Sequence, residues 1–237
     1  MQTFIGVDLG WFGKPTGLAA IRMEGSGLRL VKTARLETVG EIVCWILAEC
    51  GDGGAVLGID APTVIRNDGG IRPAERELNG DFRRFHAGCH PANLGRPFAA
   101  HVLAFSRLLE EAGFRHGSDM AARAEGRFQI EVHPHSATVS LFRLDRIVKY
   151  KRGLRAHRAR ELGQLRRLML AQLPALNPPL ALRLPGVPKT GRLKPVEDRI
   201  DAVLCAFIAA HWWWWGPARN RVYGSAGSGY IVVPVRP

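Results

Sequence analysis

TFIGVDLGWFGKPTGLAAIRMEGSGLRLVKTARL, residues 3–36, decides the fold. It begins with an apolar run, TFIGVDL, that places an acid, Asp8, at its end, as a buried strand does. A glycine-containing loop leads to a second apolar run at 18–23. The turn EGSG at 24–27 then opens a third stretch, where Leu28, Leu30 and Ala34 alternate with Arg29, Lys32 and Arg35. Two β-rich runs joined by a Gly-Ser-Gly turn predict an antiparallel hairpin, and the first run extends it to a three-stranded meander.

Downstream, Thr38 and Glu41 have the spacing of a capping box, followed by Ile42, Val43, Trp45, Ile46 and Leu47 and a stop at Gly51. AVLGID at 55–60 predicts a buried strand ending on a second acid, Asp60. Residues 63–96 are polar, arginine-rich and aperiodic, which predicts an irregular insertion with a short helix near 74–78. Pro97 opens a helix whose apolar face uses Val102, Phe105 and Leu109. FQIEV at 128–132 is a further strand, broken by Pro134. Residues 154–173 predict a very basic amphipathic helix with Leu162, Leu165, Met169 and Leu173 on one side, followed by a proline-rich connection over 174–195. The last helix runs from about Val196 to Trp213. Its stripe of Ala202, Ala206 and Ala209 lets it lie close to a sheet, and residues 230–235 predict a terminal strand.

No repeat or linker interrupts this order, so one domain over 1–237 is expected, with the arginine-rich insertion at about 63–96. A meander followed by parallel strands added through crossovers predicts an α/β fold. The sheet is mixed, of five strands or slightly more, with helices on both faces. That order is the RNase H-like one.

Composition narrows the function. An apolar fraction of 46% with 23% charged residues belongs to an ordinary globular chain. The longest apolar run, around 202–215, is interrupted by His211 and falls short of a membrane span. No basic region precedes the first apolar run, and Cys44, Cys50, Cys89 and Cys205 show no paired spacing. A reduced, cytoplasmic protein that makes no use of a membrane is expected. Lys and Arg total 33 against 21 acids, a net charge of +12, which favours a polyanionic partner and points to nucleic acid, DNA or RNA. Arg72, Arg76, Arg83 and Arg84 in the insertion, with Lys149, Lys151, Arg155 and Arg158 around the basic helix, are the expected nucleic-acid-binding side chains. Arginine in particular forks onto phosphate oxygens.

The acids carry the chemistry. Asp8 and Asp60 end strands expected to be sheet neighbours, and Asp198 and Asp201, three apart, share one face of the last helix. Carboxylates that converge repel one another unless they are protonated or bridged by a cation. An all-oxygen set suits Mg²⁺ or Mn²⁺, and two such ions serve phosphodiester hydrolysis. Asp8, Asp60, Asp198 and Asp201 are therefore the expected metal-binding and catalytic residues. Glu131 is expected at the metal rim, and His133, on the same side of its strand, as a proton shuttle to the leaving group. His86, Cys89 and His90 lack a fourth ligand at zinc spacing.

GVDLGW (6–11), GIDAP (58–62), EVHP (131–134), EDRIDAVLCAFIAA (197–210) and GYIVVP (229–234) together resemble a bacterial family of predicted RNase H-like nucleases, domain of unknown function 429 (DUF429). The resemblance spans residues 4–234 and implies an RNase H-like fold and nuclease activity. DRIDAVLCAFIA (198–209) is also similar to the last helix of Holliday-junction resolvases, which implies metal binding by Asp8, Asp198 and Asp201. The resolvases carry glutamate where Asp60 stands, so this chain departs from them by one methylene.

Three functions follow from these features. The first is a divalent-metal-dependent nuclease with two-metal-type catalysis; a resolvase-like cut of two strands would require a homodimer. The second is a non-catalytic nucleic-acid-binding module that keeps the basic surface. The third is actin-like phosphoryl transfer, disfavoured because GVDLG appears here without the second phosphate loop and second domain such enzymes need.

Overall fold

The computed structural model describes residues 2–235. β1 (Thr3–Asp8) pairs antiparallel with β2 (Thr16–Glu24), which pairs antiparallel with β3 (Gly27–Leu36), so the meander forms as expected. Helix α1 (Val39–Cys50) is capped by Thr38, whose hydroxyl accepts from the Glu41 amide while the Glu41 carboxylate accepts from the Thr38 amide. It returns the chain to β4 (Ala55–Ile59), parallel to β1 with Val7 opposite Ile59.

Helix α2 (Pro73–Phe82) lies in the insertion, and α3 (Ala99–Glu111) begins two residues after Pro97. The short β5 (Arg115–His116) and β6 (Arg127–Glu131) extend the sheet beyond β4 in parallel. Then come α4 (Pro134–Phe142), α5 (Arg155–Gln172), the short β7 (Leu180–Ala181) and α6 (Lys194–Trp215). The sheet has seven strands in the order β5-β6-β4-β1-β2-β3-β7, the mixed RNase H-like arrangement with two short strands added at its edges. A separate antiparallel ribbon, β8 (Asn220–Ser225) and β9 (Gly229–Pro234), closes the chain. The expected terminal strand therefore forms, but as half of its own hairpin. No helix among the described residues is long and apolar enough to cross a membrane.

Alternation along the strands sorts the core into two layers. Ile5 and Val7 of β1 join Ile42 and Ile46 of α1 and Val102, Phe105 and Leu109 of α3 on one face. Phe4 faces the other way, into a cluster with Val203 and Phe207 of α6. Asp8 shares that second face by the same alternation, and it is the face on which α6 lies. The helix comes very close to the sheet: a Cβ on Gly6 would sit 1.8 Å from the Ala202 carbonyl oxygen. The expected alanine stripe is the other half of this contact, with Ala202, Ala206 and Ala209 fully buried.

The insertion is more ordered than an irregular excursion. Ala74, Leu78 and Phe82 of α2 pack on Tyr223, Ile231 and Val233 of the ribbon, forming a third small core. The four adjacent tryptophans diverge as expected of a helix end. Trp212 is buried and donates to the Gly117 carbonyl, while Trp213 and Trp215 donate to the Ala124 and Asn177 carbonyls.

Candidate metal centre

Strand register brings the acids together. Asp8 pairs with Gly17 across the β1–β2 ladder, and a Cβ on Gly17 would lie 2.1 Å from the Asp198 carbonyl oxygen. The first turns of α6 therefore rest beside Asp8. Asp60 extends β4 by one residue, its amide donating to the Val7 carbonyl at 2.9 Å. Asp198 and Asp201 are buried on the sheet-facing side of α6, as their spacing predicts. Asp8, Asp60 and Asp198 line one cavity of about 320 Å³ together with Lys151, Lys194 and Trp11.

Cations surround this cluster. Asp198 is held by Arg35 Nε at 2.8 Å on one carboxylate oxygen and by Lys194 Nζ at 2.7 Å on the other. Asp201 accepts from the Tyr150 hydroxyl at 2.6 Å and faces Lys151 Nζ at 3.0 Å. The two oxygens that face lysine, Asp198 Oδ1 and Asp201 Oδ2, form ion pairs without hydrogen-bond alignment. Asp8 and Asp60 take no side-chain hydrogen bond or ion pair among the described residues.

Their electrostatics follow. Burial pushes the Asp8 carboxyl well above its usual range; Lys151 opposes this, and repulsion from Asp201 and Asp60 adds to it. Burial likewise raises Asp60 to about 6, with Lys151 again opposing and Asp201 reinforcing. Burial works against the Lys151 charge, but Asp201, Tyr150, Asp8 and Asp60 outweigh it and hold the ammonium well above its ordinary range. Two strained carboxyls without partners, in an all-oxygen donor set, are what a hard divalent cation would relieve. As the side chains stand, no three His, Cys, Asp or Glu residues among those described close on a single ion position. Lys151 and Lys194 balance the acids instead.

Residues 6–226 match the family described as "Protein of unknown function (DUF429)". The chain belongs to the DUF429 family. No curated protein matches it. Among solved structures, this DUF429 protein is similar to T. thermophilus RuvC in complex with Holliday junction substrate. The identity is 13% and the TM-score 0.36, covering 87% of this chain and 91% of that one.

Three expected roles in the DUF429 protein need correction. Arg72 is not on the surface: it is 1% exposed and its guanidinium is fully committed. Its Nε meets Glu75 at 2.6 Å, its two terminal nitrogens meet the Glu131 oxygens at 2.9 and 2.6 Å, and one of them also donates to the Val64 carbonyl. A buried charge must be paired, and the insertion supplies the Arg that Glu131 needs. Glu131 therefore lies beside Asp60 in one cavity lining, but as half of a buried bidentate pair with both oxygens committed to Arg72; burial raises it to about 7 against the pull of Arg72.

His133 is the third. Ser136 Oγ donates to the Ala87 carbonyl, so it accepts from His133 Nδ1 at 2.8 Å, which leaves Nε2 without a proton. Burial lowers this histidine to about 4, with Lys151 and His90 adding to the effect. A neutral imidazole in that tautomer has no proton on Nε2 to give a leaving group.

The other basic residues divide. Arg76, Arg83, Arg84 and Lys149 are exposed, and so is Arg155, which spans to the Gly191 and Pro188 carbonyls. Arg158 is turned inward to the Tyr150 carbonyl and Glu197, and Lys151 belongs to the acid cluster. Sequence reasoning missed Lys194 and Arg35. Lys194 stood four residues before Asp198, a spacing that places both on one helix face. Arg35 carried no such signal, because it lies 163 positions from the carboxylate it meets.

Proposed function

We propose that this DUF429 protein is a divalent-metal-dependent nuclease that hydrolyses phosphodiester bonds of DNA or RNA. The observation that carries the reading is that Asp8, Asp60 and Asp198, from three elements, line one cavity edged by lysines, with the buried Asp201 close enough to repel Asp8. These four carboxylates would hold Mg²⁺ or Mn²⁺. A bound ion would supply Lewis acidity and an activated water for in-line attack. With Asp198 and Asp201 turned to such an ion, Lys151 and Lys194 would be left to pair with the phosphate oxygens. Lys14 in the cavity lining adds a third cation, and the exposed Arg76, Arg83, Arg84, Lys149 and Arg155 would add phosphate contacts elsewhere on the surface. The net charge of +12 supports the same partner.

One observation favours a second reading. Lysines already neutralise Asp198 and Asp201, which a non-catalytic nucleic-acid-binding module of this fold would also show. The test is incubation of the purified protein with Mg²⁺ or Mn²⁺ and labelled single-stranded DNA, duplex DNA, RNA, hybrid and a four-way junction, beside Asp8→Asn. Metal-dependent cutting lost in the variant supports the nuclease. Salt-sensitive binding with no cutting of any substrate supports the module.

A further inference from the structure

A second cavity, of about 150 Å³, adjoins the carboxylate cavity, and Trp11 and Asp60 line both. Its character is different. Trp11 packs on Phe98 with ring centroids 4.3 Å apart and planes tilted by 40°, making one aromatic wall, and Ala92, Val132 and Ile231 make the wall largely carbon elsewhere. Trp11 stays 38% exposed, so part of its ring is open to a ligand. The polar lining is the Arg72–Glu75–Glu131 group with Asp60, Cys89, His90 and His133. The Arg72 guanidinium is spent on two carboxylates and a carbonyl, so among the described residues this cavity holds more carboxylates than fixed cations and disfavours a phosphate. Its carboxylates retain lone pairs that accept hydrogen bonds. The ligand it suits is flat, uncharged, small and rich in N–H donors. Next door, Lys14, Lys151 and Lys194 suit the phosphate that the smaller cavity disfavours.

We infer that the smaller cavity receives one unstacked nucleobase of the strand whose phosphate lies over the carboxylates. The inference rests on the nuclease reading for its phosphate site and adds the substrate class: a single strand, or a nucleotide extruded from a duplex. A base inside a stacked helix cannot enter such a pocket without leaving the stack. Trp11 and Phe98 supply the face on which the base rests, and the neighbouring acids supply hydrogen-bond acceptors for its edge.

Binding is the readout that separates this inference from the nuclease reading. Affinity is measured in Ca²⁺ or EDTA for a short labelled single-stranded oligonucleotide and for versions with one abasic site moved along it. An abasic site at one position should weaken the wild-type protein roughly 5- to 100-fold, the worth of one stacked base. In Trp11→Ala, at an exposed position, and in Ala92→Phe, which fills the cavity, intact and abasic strands should bind nearly alike. Equal wild-type affinity at every position overturns the inference, as does a penalty that survives both substitutions or a failure to bind any strand. Cutting without an abasic effect removes the base pocket alone. An abasic effect without metal-dependent cutting removes the nuclease alone.

Discussion

Replacing Asp60 by Asn should make the metal-free protein more stable. The carboxyl moves from an ordinary 3.8 to about 6 on folding, chiefly because burial disfavours its charge. The native state therefore holds the proton more tightly than the unfolded chain between those two values. Stability falls as pH rises through this window, and the cost is fully present above about pH 6. At about 1.4 kcal/mol per pKa unit the cost is on the order of 3 kcal/mol. Asp60 keeps some contact with solvent at the cavity mouth, which screens part of this and leaves about 1–3 kcal/mol to be gained. Urea unfolding at pH 8 should show that gain, with a rise in Tm of roughly 2–10 °C. The advantage should shrink towards zero as pH falls from 8 to 4, where the wild-type carboxyl is already protonated. Saturating Mn²⁺ should narrow it at pH 8, because a ligand that binds only the folded wild type stabilises it. A variant less stable than wild type at pH 8, or a gain that does not change with pH, would refute the reasoning.

Three further outcomes are expected. Gly6→Ala should lower stability by about 3 kcal/mol or more in urea titrations, since the new methyl meets the α6 main chain and not a yielding side chain; a change under about 0.5 kcal/mol would mean that α6 lies farther from the sheet. Arg72→Ala should cost about 3–5 kcal/mol by stranding Glu75 and Glu131, with amide protection lost first across α2; unaltered exchange there would contradict the buried pair. His211, which burial lowers to about 4, is neutral in the fold with Asn220 accepting from Nδ1. The unfolded chain takes up its proton first, so stability should fall as pH drops from about 6.5 towards 4. His211→Gln should flatten that slope in pH-dependent unfolding, and an identical slope would count against it.

Much of the fold was legible because its signals are local. The Thr38–Glu41 cap, the Gly-Ser-Gly turn and the apolar spacing of Leu162, Leu165 and Met169 each depend on residues a few positions apart, and each is realised. The pairing of Asp8 with Asp60 followed from a topology rule applied to strand order. What escaped depends on distant partners. Helix α4 has a weak apolar pattern because it is buried nearly all round, so periodicity did not mark it. Strand β8 is short and polar, and its ribbon is stabilised by packing on α2. Arg72 looked like its exposed neighbours Arg76 and Arg83; only the fold reveals that Glu131 lies 59 residues on and within reach. The four candidate acids stood out because carboxylates at strand and helix ends are conspicuous, whereas Arg35 and Lys194 are ordinary in sequence and distinctive only in place.

Mn²⁺ titration of the purified protein, followed by electron paramagnetic resonance with Mg²⁺ as competitor and Asp8→Asn in parallel, tests the metal centre most directly. Saturable binding that Mg²⁺ displaces, and that Asp8→Asn weakens roughly tenfold or more, is the predicted result. Absence of saturable binding, or equal binding by the two proteins, would contradict the assignment of Asp8, Asp60, Asp198 and Asp201 as a metal site.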